Sequence, residues 1–412
     1  MNVRSEGKYP ALSAFGGADD GGVLAVHAHP DDETLSTGGL LATFAAAGRP
    51  VCVVTCTRGE RGEVIALPGT TSEGRAGLEG DGPALGAYRE GELAAALRQL
   101  GGGVDGAVEH AFLDTLPPAG LPTTGDTSAS EASAEVRYED SGMTWVAPGV
   151  AGPAPDSPPT AFARVPLDES AGRLAVLVRA RRPAVVATYE SGGGYGHPDH
   201  VRAHQVTVRA LELAADPSWR PDGGGTSAGE GTPAPGVGPR DEPWAGAELW
   251  QAVVAAAELR EARATLAALP EAMTLAAAHK LTFPPPEAPL PPLARENLNV
   301  WSAERQVIGS SSYRSPDLLP TTSIGRSRVV RVGVRGVVES VVAALQAHAT
   351  QVRHATVLAR SEGAFAGWYA LSNGVLAPIL TTETYLVSAP GGRPGRSPWR
   401  SRADGRCSGP GC

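Results

Sequence analysis

Short apolar runs that alternate with amphipathic, helix-like segments constrain the fold of this chain more than any other feature. The runs are rich in valine and alanine: GVLAVHAH (22–29), PVCVVTCT (50–57), AVEHAFL (107–113) and AVVATY (184–189). Continuous apolar runs of this length are typical of strands buried on both faces. Strands that alternate with helices pair in parallel. The sequence therefore predicts an α/β fold, a Rossmann-like, doubly wound, mostly parallel sheet with helices on both faces.

Capping residues and helix breakers indicate where the helices begin and end. We expect Ser36 or Thr37 to cap the first helix and Gly48 to end it. Further helices are expected over 88–101, over 167–183 and along the segment HPDHVRAHQVTVRALELA. Late in the chain, the pattern predicts a smaller C-terminal strand/helix region, with a strand and a helix over 329–351 and a final strand over 376–388.

Glycine and proline divide the chain, with 52 Gly and 36 Pro among its 412 residues. Stretches rich in these residues bury too little apolar surface to order a core. The expected organisation is a disordered N-terminus (1–21), a catalytic α/β core (22–215) with a loop insertion (117–160), a flexible insertion (216–243), a C-terminal part that completes the domain (244–388) and a disordered tail (389–412).

Charge and composition exclude several classes of function. The net charge is −9 and no block of basic residues could neutralise phosphates, so no nucleic-acid partner is expected. The N-terminus lacks the apolar core of a signal peptide, and no apolar run approaches the length of a membrane span. Four cysteines do not make a disulfide framework. We expect a cytoplasmic protein without a membrane partner, and the sequence leaves its oligomeric state open.

Two clusters of histidine and aspartate follow predicted strands. The first is HAHPDDE (27–33), after the opening strand, and the second is GGGYGHPDH (192–200), after the strand at 184–189. The carboxyl ends of parallel strands form the edge at which α/β sheets bind ligands. Neighbouring carboxylates repel each other unless a cation or a proton intervenes, and imidazole with carboxylate suits zinc or Fe²⁺. The clusters together predict a metal site at this edge.

Spacing alone leaves the ligands undecided. His27 and His29 share a strand face, and His200 and His204 lie one helical turn apart, so either pair can chelate on geometry alone. Asp31 or its neighbour can instead simply cap the following helix. Because the two aspartates are adjacent, they point in different directions. One of them can bind a metal while the other stays free as a base.

AHPDDE (28–33) together with GGYGHPDH (193–200) resembles the PIG-L/LmbE-like family of metal-dependent deacetylases. Four other segments look like its mycothiol-pathway branch, namely VVTCTRGERGEV, GAYREGELAAALRQLG, RYEDSGM and ALQAHATQ. The resemblance implies hydrolysis of the acetamide of a small N-acetyl aminosugar, most closely N-acetylglucosaminyl-inositol in mycothiol biosynthesis. It also implies Zn²⁺ as the cofactor, with Fe²⁺ as the alternative.

The resemblance carries roles over to individual residues. The metal ligands would be His29, Asp32 and His200. Asp31 would be the general base that takes a proton from the metal-bound water.

The remaining roles concern the oxyanion, the leaving amine and the sugar. Tyr195 would stabilise the oxyanion, His197 would carry positive charge toward the oxyanion or the amine, and Asp199 would orient His197. The expected sugar contacts are Arg89, Asp140 and Glu63.

Three other functions compete with this interpretation. An amidase that cleaves mycothiol S-conjugates would use the same metal machinery, but that branch usually has Lys after its HPDDES-type motif and Pro where this chain has Gly196. A nucleotide-binding module would need a G-x-G-x-x-G turn, whereas the turn after the first strand is acidic. An inactive family member that acts as a binding module would not need every catalytic-type residue, and all of them are present.

Overall fold

The computed structural model of the protein describes residues 21–117, 137–147, 149–221, 242–285, 287–296, 298, 323–324 and 327–388. Apart from residue 21 and residues 216–221 and 242–243, the N-terminus, flexible insertion and tail expected from the sequence lie outside these residues. Among the described residues, no helix combines the length and the apolar character needed to cross a membrane.

Strands and helices alternate along the first half of the described chain. The strands are β1 (Val23–His27), β2 (Val51–Thr55), β3 (Glu109–Phe112), β4 (Met143–Ala147), β5 (Val150–Pro153), β6 (Val185–Tyr189), β7 (Glu248–Ala255), β8 (Ala294–Arg295), β9 (Ser323–Ile324), β10 (Ser327–Gly333), β11 (Arg353–Glu362), β12 (Phe365–Ala370), β13 (Leu376–Leu380) and β14 (Thr382–Ser388). The helices are α1 (Asp32–Ala46), α2 (Gly82–Leu100), α3 (Leu167–Arg181), α4 (Gly193–Gly196), α5 (Pro198–Ala215), α6 (Ala256–Ala268), α7 (Pro270–His279) and α8 (Val338–Ala347).

A nine-stranded sheet forms the centre of the described structure, in the order β3-β2-β1-β6-β7-β14-β10-β9, with β8 paired to β7. The pairs from β3 to β7 are parallel, and those from β7 through β14 to β9 are antiparallel. Every residue of β1, β2 and β6 is buried, as expected for strands covered on both faces. The predicted α/β class with a mostly parallel sheet is confirmed.

Side chains that alternate along β1 enter two different cores. Val23 and Ala25 belong to a core that includes residues of α1, α2 and α8. Leu24 and Val26 belong to a second core that includes residues of α3 and α5. Because successive side chains of a strand point to opposite faces, this division places helices on both faces of the sheet.

The first helix begins at Asp32, four residues before Ser36 and five before Thr37, its two expected caps. The backbone of Asp31 has φ 113°, and its carbonyl accepts hydrogen bonds from the amides of Thr34 and Leu35. Helical hydrogen bonding therefore starts at Asp31, and the expectation of a later start is wrong. The Asp31 side chain makes no capping hydrogen bond, so capping does not account for this residue.

Two further expectations, for the end of the chain and for the loop insertion at 117–160, also change. The late strand expected over 376–388 is two strands, because β13 joins β12 and β11 in a separate antiparallel sheet while β14 joins the central sheet. Part of the expected insertion at 117–160 is buried, since Tyr138 has no exposed surface and stacks on Phe162 with 5.7 Å between ring centroids. This packing brings residues 137–142 to the edge of the sheet where the histidines lie.

Candidate functional site

The two clusters predicted from the sequence meet at the carboxyl ends of the adjacent parallel strands β1 and β6. Asp32 lies between them. Its Oδ2 is 3.2 Å from His29 Nδ1 and 3.3 Å from His200 Nε2. All three side chains are buried. Segments about 170 residues apart in the chain thus place two imidazole nitrogens around one carboxylate oxygen.

His200 is oriented so that one ring nitrogen faces this carboxylate. Its Nδ1 is 3.2 Å from the carbonyl of Gly193, which can only accept a hydrogen bond, so Nδ1 carries the proton. Its Nε2 is buried and makes no hydrogen bond among the described residues. The ring of Tyr189 stacks on that of His200 at 4.3 Å and 12°. The His200 Nε2 lone pair is therefore directed at the cluster by contacts on two sides of the ring.

His29 lies among three carboxylates. Its Nε2 is 3.2 Å from Oδ2 of Asp199 and 3.6 Å from Oδ1 of Asp140, while Nδ1 faces Asp32. Burial opposes the charged imidazolium, but Asp140, Asp199 and Asp32 outweigh it and hold the pKa of His29 well above its usual value. Asp199 is itself held by the backbone amide of Ser141 at 2.8 Å and by the Ser141 hydroxyl.

His197 lies beside both of these histidines. Donor atoms of His29, His197 and His200 lie within 4.8 Å of one another, as do those of His29, Asp140, His197 and Asp199. Burial, followed by the neighbouring His29 and His200, holds the pKa of His197 well below its usual value. Asp199 contacts His197 through its backbone amide, which donates to Nδ1 at 3.2 Å. Asp199 thus orients the ring of His197 through its backbone, while the hydrogen bonds of its carboxylate among the described residues go to His29 and Ser141.

Asp31 stands apart from the histidine donors. Its side chain is 14% exposed, and Oδ2 lies 3.4 Å from the Arg89 guanidinium. Burial raises the pKa of Asp31 to about 7, with Arg89 opposing the shift and Asp32 adding to it. A carboxylate with a pKa near neutrality is a stronger base than an ordinary aspartate and is still ionised in a large fraction of molecules at pH 7.

A buried ion pair supports the backbone of Asp31. The Asp31 amide donates to Glu33 Oε2 at 3.0 Å, and Glu33 Oε1 is 2.8 Å from His348 Nε2. Neither Glu33 nor His348 has exposed surface. Despite its burial, Glu33 has its pKa lowered to about 2 by His348, and the pKa of His348 is raised by Glu33. Sequence analysis did not anticipate this pair.

Arg89, the first of the expected sugar contacts, spans the two loops beside the site. It is 3% exposed. Its Nη1 donates to the carbonyl of Gly59 at 2.8 Å and its Nη2 to the carbonyl of Pro30. A Cβ at Gly59 would lie 2.0 Å from Nη1, and the backbone there has φ 66°, so both the contact and the conformation favour glycine. In the structure, Arg89 holds the loop that carries Asp31.

A polar cavity of about 570 Å³ opens beside Asp140. Asp140 accepts hydrogen bonds from the Gly142 amide at 2.8 Å and the Arg61 amide at 3.4 Å, and its own amide donates to Glu60 at 3.2 Å. Glu63, the third expected sugar contact, also lines this cavity, with an exposed side chain. Most of the lining is charged: Glu60, Arg61, Glu63, Glu79, Arg137, Glu139 and Asp140.

Tyr195 is half-buried on the other side of the donors. Its ring meets that of His200 edge-on at 5.0 Å and lies 5.9 Å from the ring of Trp145 on β4. Burial, with Asp32 close by, raises the pKa of its hydroxyl. Tyr195 is therefore a neutral hydrogen-bond donor at neutral pH.

The alternative ligand pairs left open by the spacing do not form. His27 Nε2 lies 2.9 Å from the Thr37 hydroxyl, and burial lowers the His27 pKa to about 4. His204 Nδ1 lies 2.9 Å from the carbonyl of Tyr189. Neither histidine belongs to a donor cluster among the described residues.

Sequence reasoning also missed two supporting residues besides the Glu33–His348 pair. Tyr189, read only as the end of a strand, stacks on His200 and accepts a hydrogen bond from the Ala28 amide at 2.9 Å. Ser141 holds Asp199. Ser141 and His348 do lie inside the segments RYEDSGM and ALQAHATQ that carried the resemblance, so a signal existed, but no local pattern assigns them a partner.

The donor set fits a divalent metal ion. Two imidazole nitrogens and a carboxylate oxygen converge, and the His200 nitrogen is buried without a hydrogen-bond partner among the described residues. An isolated lone pair of this kind is costly to bury unless a cation or a donor faces it. Nitrogen and carboxylate oxygen are ligands for zinc and related divalent ions.

The fold and the site together define a class of enzyme. The chain belongs to the PIG-L family of deacetylases, and its residues 24–211 match the family described as PIG-L: GlcNAc-PI de-N-acetylase. The family expected from the AHPDDE and HPDH motifs is confirmed.

Relatives within this family extend the similarity over most of the chain. A 1D-myo-inositol 2-acetamido-2-deoxy-alpha-D-glucopyranoside deacetylase from Kineococcus radiotolerans is 37% identical, over 90% of this chain and 79% of that protein. Proteins of the same name from Rhodococcus erythropolis and Geodermatophilus obscurus are 33% and 34% identical, over 89% of this chain in each case and 90% and 91% of the relative. These relatives are deacetylases, that is, amide hydrolases.

Proposed function

We propose that this chain hydrolyses the acetamide of N-acetylglucosaminyl-inositol, as a step of mycothiol biosynthesis. His29, Asp32 and His200 would hold a divalent metal ion, Zn²⁺ in the first place and Fe²⁺ as the alternative. The observation that carries the proposal is the position of Asp32 Oδ2, within 3.3 Å of nitrogens from both histidines. A divalent cation bound there would polarise the amide carbonyl and make a water molecule more acidic.

Asp31 is the proposed general base. It lies beside the donors without being one of them, and burial raises its pKa, which makes it a stronger base than an ordinary aspartate. In the reaction, Asp31 accepts a proton as the water oxygen bonds to the acetamide carbon. The C–N bond then breaks, a proton goes to the sugar nitrogen, and acetate leaves.

Tyr195 and His197 are the proposed donors to the oxyanion. Both lie next to His200, and Tyr195 stays neutral because of its raised pKa. Donors that are already in place when negative charge develops stabilise it without reorganisation. The resemblance implied a positive charge on His197, but its pKa is held well below the usual value, so the ring is neutral. Its Nδ1 accepts from the Asp199 amide, so Nε2 carries the proton and would donate a hydrogen bond to the oxyanion. Asp199 would act on His29 by accepting from Nε2, which keeps the Nδ1 lone pair free for the metal.

The polar cavity supports an aminosugar conjugate as the substrate. Its carboxylates and guanidinium groups offer hydrogen-bond partners to sugar hydroxyls, and Asp140 and Glu63 lie in its wall. The named function of the relatives points to the same compound. Arg89 would contribute indirectly, by positioning the loop of Asp31.

The test is release of primary amine from N-acetylglucosaminyl-inositol by metal-stripped protein before and after reloading. We expect turnover to fall at least a hundredfold on stripping and to return with Zn²⁺, or with Fe²⁺ under anaerobic conditions. His200→Ala should not recover, whereas His279→Ala, an exposed histidine on α7, should behave like the parent. Full turnover without metal would refute the proposal.

The same assay with a mycothiol S-conjugate separates the deacetylase from the amidase. Gly196 has φ 94°, which proline cannot adopt, so the Gly-Tyr-Pro turn of the amidase branch would require a different backbone here. A preference for the S-conjugate would reverse the choice of substrate.

A further inference from the structure

A second cavity, of about 410 Å³, lies at the site, and Asp140 is not part of its lining. One end is lined by Asp32, Tyr195 and His200. Away from these residues the walls come from β7, α8 and β13, with further residues from α1, α6 and β14. Most are aliphatic, including Val254, Val341, Leu345, Leu376, Ile379 and Leu380. We call this the apolar cavity. Its volume lies in the range of ordinary ligand pockets.

The charged groups in the apolar cavity are few. Glu383 directs its carboxylate to the backbone amides of Gly39 and Leu40 at 2.6 and 2.8 Å. Arg263 is half-buried on α6. By contrast, seven charged residues line the polar cavity. The two cavities therefore differ in chemistry. The apolar cavity reaches Asp32 and His200 directly, whereas the polar cavity ends at Asp140, whose Oδ1 lies 3.6 Å from His29 Nε2.

His29 marks the boundary between them. Its Nδ1 faces Asp32, in the wall of the apolar cavity, and its Nε2 faces Asp140, in the wall of the polar cavity. An amide whose carbonyl sits over the donors must send its two substituents in opposite directions, because a trans amide places them on opposite sides of the C–N bond. If the sugar on nitrogen occupies the polar cavity, the acyl group enters the apolar one.

An acetyl group fills little of that space. Its methyl group is about the size of a water molecule, which occupies about 30 Å³ in the liquid, against about 410 Å³ here. The transfer of each further methylene group from water into contact with apolar side chains has a favourable free energy. The cavity is much larger than its acetyl occupant requires.

We propose that the apolar cavity is an acyl subsite that admits unbranched N-acyl groups longer than acetyl on the same aminosugar conjugate. This inference rests on the proposed deacetylase function and adds a second class of substrate to it. The chemistry is unchanged. Water oxygen bonds to the acyl carbon, the C–N bond breaks, a proton goes to the amine, and a fatty carboxylate leaves in place of acetate.

The experiment compares N-acetyl-, N-butyryl- and N-hexanoyl-glucosaminyl-inositol with the Zn²⁺-loaded full chain, by amine release. We expect kcat/KM for the hexanoyl substrate within tenfold of the acetyl value or above it, with an upper limit of about a fourfold gain per methylene. A fall of a hundredfold or more from acetyl to hexanoyl would overturn the inference.

Two variants place bulk in different walls of the cavity, Val341→Phe on α8 and Val254→Phe on β7. In each, the ratio of hexanoyl to acetyl kcat/KM should fall at least tenfold. Val338→Phe, on α8 but outside the cavity lining, should leave the ratio unchanged. If one variant fails to fold, the other decides, and an unchanged ratio in a folded variant contradicts the subsite.

The two proposals fail differently. Hydrolysis of the acetyl substrate alone would refute the acyl subsite and leave the deacetylase intact. If no N-acyl substrate of any length is cleaved, both the proposed function and the subsite that rests on it are wrong.

Discussion

At the scale of single residues, adjacent aspartates occupy two different environments. Asp32 lies between two histidines, which outweigh its burial and hold its pKa well below the ordinary value. Asp31 points away from them, and burial raises its pKa to about 7. One turn thus supplies a carboxylate that stays ionised and another that exchanges a proton near neutrality. A metal ligand must stay ionised, whereas a general base must exchange a proton near neutral pH, so the two neighbouring roles require different pKa values.

Asp31→Asn tests this division. The substitution keeps the shape of the side chain and removes the proton acceptor, so we expect kcat to fall by about 10²–10⁴ with the bound metal unchanged. Metal content by mass spectrometry and amine release measure the two effects. Asp105→Asn, at a side chain that is 87% exposed, is the matched control. Loss of metal together with activity would show that Asp31 is a ligand and not a base.

At the scale of elements, the C-terminal segment is tied to α1 by buried polar contacts. His348, just after α8, pairs with Glu33 in the first turn of α1, and Glu383 on β14 accepts from two amides of the same helix. The first turn of α1 carries Asp32, and the residue before it is Asp31. The late part of the chain therefore supports the geometry of the site although it supplies none of the proposed metal ligands.

His348→Ala should destabilise the fold by about 3–5 kcal/mol, because it leaves the buried Glu33 carboxylate without its counter-charge. His348→Gln should cost less, since its amide can still donate. Urea unfolding monitored by circular dichroism measures both, with His279→Ala as an exposed control. Equal losses for the two His348 variants would mean that packing, and not the charge pair, is what His348 contributes.

The raised pKa of Glu383 predicts that the stability of the fold depends on pH. Burial raises its pKa to about 6 in the folded protein, against an ordinary 4.5. The stabilisation that this raised pKa contributes to the free energy of unfolding is thus fully present below pH 4.5 and is lost as the pH rises through 6. Because the residue is half-buried and partly screened by water, we expect a loss of about 1–2 kcal/mol.

Unfolding free energies of wild type and Glu383→Gln, measured from pH 4.5 to 7.5, test this expectation. The unfolding free energy of wild type should exceed that of Glu383→Gln by the largest amount at pH 4.5, and this excess should shrink as the pH rises. A constant difference across this range would mean that Glu383 titrates normally.

At the scale of the whole molecule, the proposed metal would join two distant parts of the chain. His29 and Asp32 follow β1, and His200 lies in α5, which α2, α3 and α4 separate from α1 along the sequence. A ligand that binds only the folded state stabilises it by mass action, by about 2.7 kcal/mol when its concentration is a hundred times Kd.

Stripping the metal should therefore lower the Tm by several degrees, and Zn²⁺ should restore it. Calorimetry with and without a chelator measures the shift. Asp32→Ala should abolish the response to Zn²⁺, while Asp105→Asn should retain it. An identical Tm with and without metal would indicate that these residues do not bind it.

Much of the fold and part of the site follow from local sequence. Apolar runs and helical periods depend on neighbouring residues, so the class, the parallel strands and the meeting of the AHPDDE and HPDH turns were predictable. The start of α1 was not. It depends on Asp31 taking φ 113°, a conformation that its amide's contact with Glu33 supports and that no propensity favours.

What the sequence determined by itself is the alternation that builds the sheet and the placement of histidines and aspartates at its carboxyl edge, because both depend on spacing along one strand or helix. Only the tertiary structure decided that Arg89 faces the Asp31 loop, that Asp199 serves His29, and that His348 reaches Glu33. Each of these contacts joins residues at least 59 positions apart. Their energies come from burial and charge that exist only once the layers have packed.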